Sequence, residues 1–83
     1  MKVHLRYFAS IREALGQGSE TADTQAATLA ALRDELIARG GAYAESLARG
    51  RAVRVALNQT MADETLALSE GAEVAFFPPV TGG

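Results

Sequence analysis

Thr28-Leu29-Ala30-Ala31-Leu32-Arg33-Asp34-Glu35-Leu36-Ile37-Ala38-Arg39-Gly40-Gly41 is the stretch of the chain with the clearest helical period. Leu29, Leu32, Leu36 and Ile37 recur at three- and four-residue spacings and form one apolar stripe. The Thr28 hydroxyl can accept a backbone N–H left unpaired at the helix start, although Ala31 at the third helical position rules out a capping box. Glu35 and Arg39 stand four residues apart, which predicts an ion pair on the polar side. Gly40-Gly41 is expected to end the helix. A striped helix must bury its stripe against something, so the sequence on either side decides the fold.

Upstream, Val3 to Phe8 has the period of a strand, with Val3, Leu5 and Tyr7 on one face and His4, Arg6 and Phe8 on the other. Phe8 breaks the polar side of that pattern. Ser10 to Leu15 predicts a short helical turn, Gly16-Gln17-Gly18 a reversal, and Ser19 to Ala22 a weak second strand. Downstream, Ala42 to Ala48 predicts a brief helix ended by Gly50, and Arg51 to Asn58 a strand with Val53, Val55 and Leu57 inward. Asn58-Gln59-Thr60 turns the chain, Thr65 to Leu68 is a candidate short strand, and Ser69-Glu70-Gly71 turns it again. Glu73 to Phe77 is the last strand, stopped by Pro78-Pro79, which have no N–H for a ladder. With one substantial helix to cover one face of a mixed sheet, the order implies an α/β (α+β) fold of the ubiquitin-like, or β-grasp, kind. The expectation is a single domain over residues 1–83, with 78–83 as a proline-stiffened tail.

Composition then removes function classes. A chain of 83 residues supports one modest core. It has no cysteine, so disulfides, thiolate nucleophiles and Cys-based metal sites are excluded. His4 is the sole histidine and reads as an exposed strand residue, neither a zinc site nor half of an acid–base pair. Ser10, Ser19, Ser46 and Ser69 have no histidine-based arrangement, Gly16-Gln17-Gly18 is too short for a phosphate loop, and Glu70 and Glu73 read as solvated carboxylates. No catalytic constellation and no metal site emerge. A net charge of −2 gives no electrostatic case for nucleic acid, and no run approaches the roughly 20 apolar residues of a membrane span. Met1-Lys2-Val3-His4-Leu5-Arg6 alternates where a signal peptide needs an unbroken apolar run, so a cytoplasmic location is expected. All 8 strong bases lie at or before Arg54, while Asp63, Glu64, Glu70, Glu73 and the terminal carboxylate follow it. That asymmetry predicts an acidic rim able to steer the tail into a basic groove on a partner.

The tail itself is the feature that composition does not absorb. In Phe76-Phe77-Pro78-Pro79-Val80-Thr81-Gly82-Gly83 two prolines limit where the chain points, and two glycines lack the Cβ atoms that would block a narrow channel. Leu68-Ser69-Glu70-Gly71-Ala72-Glu73-Val74-Ala75 leading into that segment, Val55-Ala56-Leu57-Asn58-Gln59, and Tyr7-Phe8-Ala9-Ser10-Ile11-Arg12-Glu13 together resemble the small subunit of molybdopterin synthase, a ubiquitin-like sulfur carrier. The resemblance runs from end to end of the chain.

It implies that Gly83 is adenylated by an ATP-using, ubiquitin-activating-like adenylyltransferase, then converted to a thiocarboxylate with sulfur from a sulfurtransferase. The thiocarboxylate would enter the synthase large subunit, in a heterotetramer, and donate sulfur to cyclic pyranopterin monophosphate to build the molybdopterin dithiolene. Thr81 and Gly82 would thread the partner's channel behind Val80, while Pro78 and Pro79 restrict the arm. No cofactor would be bound by the chain itself, beyond a transient acyl-adenylate on Gly83. Carriers for thiamine, thiolated tRNA or cysteine synthesis would share the fold and the Gly-Gly end, and a noncovalent ubiquitin-like binding module would share the fold. The period of two also places Phe8 and Phe77 away from the helix-covered face. Both are expected to dock on the large subunit, with Arg12 adding a polar contact near Phe8.

Overall fold

The computed structural model describes residues 1–79. Lys2–Tyr7 (β1) buries Val3, Leu5 and Tyr7 and exposes Lys2, His4 and Arg6, as its alternation predicts. Ala9–Leu15 (α1) ends at Gly16, whose φ of 74° lets its N–H reach back to the Arg12 carbonyl. Ser19–Asp23 (β2) returns antiparallel to β1. Leu29–Ile37 (α2) is capped by Thr28, whose Oγ1 accepts from the Ala31 N–H at 3.2 Å, and it buries Leu29, Leu32 and Leu36. Gly41–Leu47 (α3) follows, then Arg54–Leu57 (β3), Thr60–Met61 (β4) and Glu73–Phe77 (β5).

The sheet has five strands in the order β2-β1-β5-β3-β4, with β1 and β5 parallel and the other pairs antiparallel. Asn58 and Gln59 both have positive φ, which is the geometry a two-residue hairpin loop needs to match the strand twist between β3 and β4. Side chains from α1, α2 and α3 pack on Val3, Leu5, Tyr7, Val55, Val74 and Phe76 to make one core on one side of the sheet. This is the ubiquitin-like β-grasp arrangement expected from the element order.

Four local expectations are corrected. Glu35 and Arg39 do not pair: the Thr24 hydroxyl donates to Glu35 at 2.6 Å, and Arg39 donates to Glu20 at 3.0 Å. Exposed i,i+4 pairs contribute only about 0.3–0.5 kcal/mol, so partners on neighbouring elements readily replace them. Gly40-Gly41 does not simply stop α2, because α2 already ends at Ile37 and Gly41 opens α3. Thr65 to Leu68 forms a single bridge, Ala67 to Thr28, and no strand. Its neighbourhood instead satisfies the start of α2, with the Leu29 N–H on the Leu66 carbonyl at 3.1 Å and the Ala30 N–H on the Glu64 carbonyl at 2.8 Å. Finally, β3 begins at Arg54 rather than Arg51, because the chain before it is held by Arg33.

Arg33 is 4% exposed despite its charge. Its guanidinium donates to the carbonyls of Leu47 (2.8 Å), Ala48 (2.7 Å) and Arg51 (3.2 Å) and to Glu64 (2.8 Å). A buried cation is tolerated only when its donors are satisfied, and here four acceptors do so while tying the α3–β3 connection to α2.

Candidate functional site

Tyr7 of β1 lies opposite Phe76 of β5, and the pairing continues one residue further, with the Phe8 N–H on the Phe76 carbonyl at 3.2 Å. The Phe8 backbone is still extended (φ −125°, ψ 154°), so alternation sends its ring, like that of Phe77, to the face without helices. The two rings stack with centroids 4.5 Å apart and planes 9° from parallel. Ala9 then takes φ 49°, a left-handed conformation that costs an alanine about 1–2 kcal/mol, and turns the chain sharply into α1. Both rings are half-buried and stand outside the core.

The register places the rest of this face. Arg54 lies opposite Phe77, and Ala75 lies between Arg6 and Ala56. Met61, opposite Ala56, is 55% exposed. The Arg6 guanidinium sits 5.4 Å from the centre of the Phe8 ring. Aromatic stack, alanine floor and two guanidiniums thus form one surface at the end of β5, immediately before half-buried Pro78 and exposed Pro79. Val80, Thr81, Gly82 and Gly83, which carry the expected chemistry, lie outside the described residues.

The cation over the Phe8 ring is Arg6, while Arg12, expected to add a polar contact near Phe8, has its backbone N–H on the Phe8 carbonyl at 3.3 Å. The Arg12 side chain instead lies against Gly18, so closely that a Cβ there would be 3.1 Å from its Nε. The alternation of β1 puts Arg6 on the Phe8 face, and the register of β3 with β5 puts Arg54 there as well.

The acidic rim is also corrected. Glu64 is engaged by Arg33 and Arg49, Glu70 accepts from the Lys2 N–H, and Asp63 accepts from the Thr65 N–H. Glu73 stands at the far end of β5, four residues or roughly 13 Å from Phe77 along the strand. Arg6 and Arg54 flank the end of β5 on the open face, while Glu45 and Arg51 line a cavity together with Pro78 and Pro79.

A second polar cluster lies on the helix side. Glu20 accepts from the hydroxyls of Tyr7 (2.8 Å) and Tyr43 (2.7 Å), from Gln17 (3.0 Å) and from Arg39. Burial pushes the Glu20 carboxyl up, but hydrogen bonds from Tyr43, Arg39 and Tyr7 outweigh it and leave the group below its ordinary value. Burial, reinforced by the bond to Glu20, raises Tyr7 and Tyr43. Phenols held protonated around an ionised carboxylate make a structural tie, with no base or nucleophile poised for chemistry. His4 is exposed, 3.3 Å from the Thr21 hydroxyl. Among the described residues no group of histidine and acidic side chains could hold a metal ion, and no helix is long and apolar enough to cross a membrane.

Residues 5–83 match the ThiS family. The chain belongs to that family. Among curated relatives of this ThiS-family chain, the molybdopterin synthase sulfur carrier subunits of Haemophilus influenzae and Escherichia coli are 38% and 37% identical over 81 residues, covering 98% of the chain and 99% of each relative. Among solved structures, SAMP1 of Haloferax volcanii, a small archaeal modifier protein, superposes with a TM-score of 0.80 at 26% identity over 100% of both chains. A complex of subunits 1 and 2 of the molybdopterin-converting factor of Helicobacter pylori contains a chain that matches with a TM-score of 0.70 at 27% identity, again over 100% of both. The resemblance drawn from the sequence is met by both curated relatives.

Proposed function

We propose that this chain is the sulfur carrier and sulfur-donor subunit of a molybdopterin synthase, working in the cytoplasm. The observation that carries the proposal is that the family match runs through residue 83, so it includes Gly82 and Gly83, and that both curated relatives bear that name. In the proposed cycle a Gly83 carboxylate oxygen attacks the α-phosphorus of ATP on an adenylyltransferase and releases pyrophosphate. A persulfide sulfur on a sulfurtransferase then attacks the acyl carbon and expels AMP, and a thiol reductant cleaves the resulting acyl disulfide to leave the thiocarboxylate. The thiocarboxylate that results is a soft nucleophile on an arm without bulky side chains at its tip; inside the large subunit its sulfur bonds to cyclic pyranopterin monophosphate, and water cleaves the acyl–sulfur bond to return the Gly83 carboxylate.

The chain's own part is delivery. Phe8 and Phe77 form an apolar docking surface at the root of the arm, where a large subunit can seat the domain and fix the direction of the tail. Pro78 and Pro79 reduce the conformations the arm must give up on insertion, and Val80, Thr81 and Gly82 follow them into the channel. Catalytic bases and nucleotide-binding groups belong to the partners. A heterotetramer of two carriers and two large subunits is part of the same reading.

Removing Gly83 tests it. The shortened chain is expected to lose sulfur transfer in a reconstituted synthase while melting at nearly the same temperature, since a glycine buries little apolar area. Retained transfer would overturn the proposal. The likeness to an archaeal modifier protein supplies a second outcome: an amide bond from Gly83 to a lysine of another protein would favour protein modification instead.

A further inference from the structure

We infer that Arg6 and Arg54 make the docking face selective for a partner that surrounds an apolar patch with carboxylates, and that the large subunit of this chain's own synthase presents such a surface. The inference rests on the docking reading above and adds a charge requirement to it. Three of the chain's arginines already have acidic partners: Arg33 and Arg49 with Glu64, Arg49 also with Asp34, and Arg39 with Glu20. Arg6 and Arg54 are exposed and, among the described residues, join no ion pair. Both stand on the face without helices, on strands that flank β5 on its two sides.

The geometry brackets the aromatic stack. Arg54 is directly across from Phe77 on β3, while Arg6 is across from Ala75 on β1 with its guanidinium over Phe8. Between them Ala75 and Ala56 are 4% and 5% exposed, so the floor is dry and a close-fitting partner meets the aromatic rings and the two cations first. A wholly apolar partner would strip water from both guanidiniums without replacing their hydrogen bonds, a desolvation penalty that opposes binding. A partner with basic side chains there would be repelled. Carboxylates are the complement, and bidentate pairing with guanidinium would also fix the domain's rotation about the tail. The chain's overall charge of −2 makes this patch a local reversal of sign, of the kind that speeds encounter with an acidic surface.

The test measures association of the chain with that large subunit by stopped-flow mixing across a salt series, for Arg6→Glu/Arg54→Glu, for Arg6→Gln/Arg54→Gln, and for Phe8→Ala and Phe77→Ala. Charge reversal is expected to slow association about tenfold or more at low salt and to invert its salt dependence, so that added salt speeds it. The glutamine pair should show a smaller change in the same direction, which also covers the case in which the reversed chain folds poorly. Unchanged association rates and salt dependence in the arginine variants, with weakened binding in the phenylalanine variants, would overturn this inference and leave the docking reading standing. Unchanged binding in all four would remove the docking reading as well.

Discussion

Tyr7 and Phe76 stack on one side of the sheet with centroids 6.1 Å apart, and one residue further along the same two strands Phe8 and Phe77 stack on the other side at 4.5 Å. The first pair is 1% and 0% exposed and sits among the leucines of α2; the second is half-buried beside two arginines. Similar rings in the same strand pairing therefore have opposite surroundings, set only by which side of the sheet they face. One pair holds the fold, and the other is the surface proposed to meet a partner at the root of the tail.

The contrast breaks most visibly at Phe76. Phe76→Ala is expected to cost about 3–5 kcal/mol in denaturant unfolding, as truncation of a fully buried ring does, and a loss below about 1 kcal/mol would mean the core is centred elsewhere. The arginines repeat the contrast between buried and exposed. Arg33→Ala should cost about 3 kcal/mol by leaving Glu64 and three carbonyls short of a donor, whereas Arg6→Ala and Arg54→Ala should leave unfolding within about 0.5 kcal/mol of the parent. Phe8→Ala and Phe77→Ala should cost less than about 1 kcal/mol in unfolding yet weaken the complex with the large subunit by about tenfold or more. A loss of about 3 kcal/mol or more with unchanged affinity would assign these rings to the core.

The smallest effect concerns pH. The lowered Glu20 carboxyl contributes stability that is present above the ordinary glutamate value of about 4.3 and is lost as the pH falls through its lower folded value. The raised Tyr7 and Tyr43 contribute stability that is present below the ordinary tyrosine value of about 10 and is lost as the pH rises through their higher folded values. Melting temperatures across pH should therefore fall at both ends. Glu20→Gln should flatten the acid limb and only partly relieve the alkaline one, because burial is the largest cause of the tyrosine shifts.

Much of this was legible in the residues. The alternation of β1, the Leu29-Leu32-Leu36 stripe with its Thr28 cap and the proline stop after β5 follow from local period and turn chemistry, and each is found where expected. What was not legible depends on distant partners. Glu35 and Arg39 suit one another along a helix, but Thr24 and Glu20 reach them from other elements. The burial of Arg33 depends on carbonyls brought together by the α3–β3 connection, and the segment around Thr65 to Leu68 supplies acceptors to α2 instead of forming a strand. At the candidate site, period alone puts Arg6, Phe8 and Phe77 on the open face, while the place of Arg54 across from Phe77 depends on the register between β3 and β5. Gly83 stands out by resemblance and by the plainness of the tail.

The most direct measurement is intact and fragment mass spectrometry of the full chain after incubation with its adenylyltransferase, ATP and a sulfur source, repeated after adding the large subunit and cyclic pyranopterin monophosphate. The expected result is one oxygen replaced by sulfur at Gly83, lost again when the acceptor is present. Sulfur on an internal residue, or a Gly83 that never acquires it, would contradict a carrier that works through its terminus.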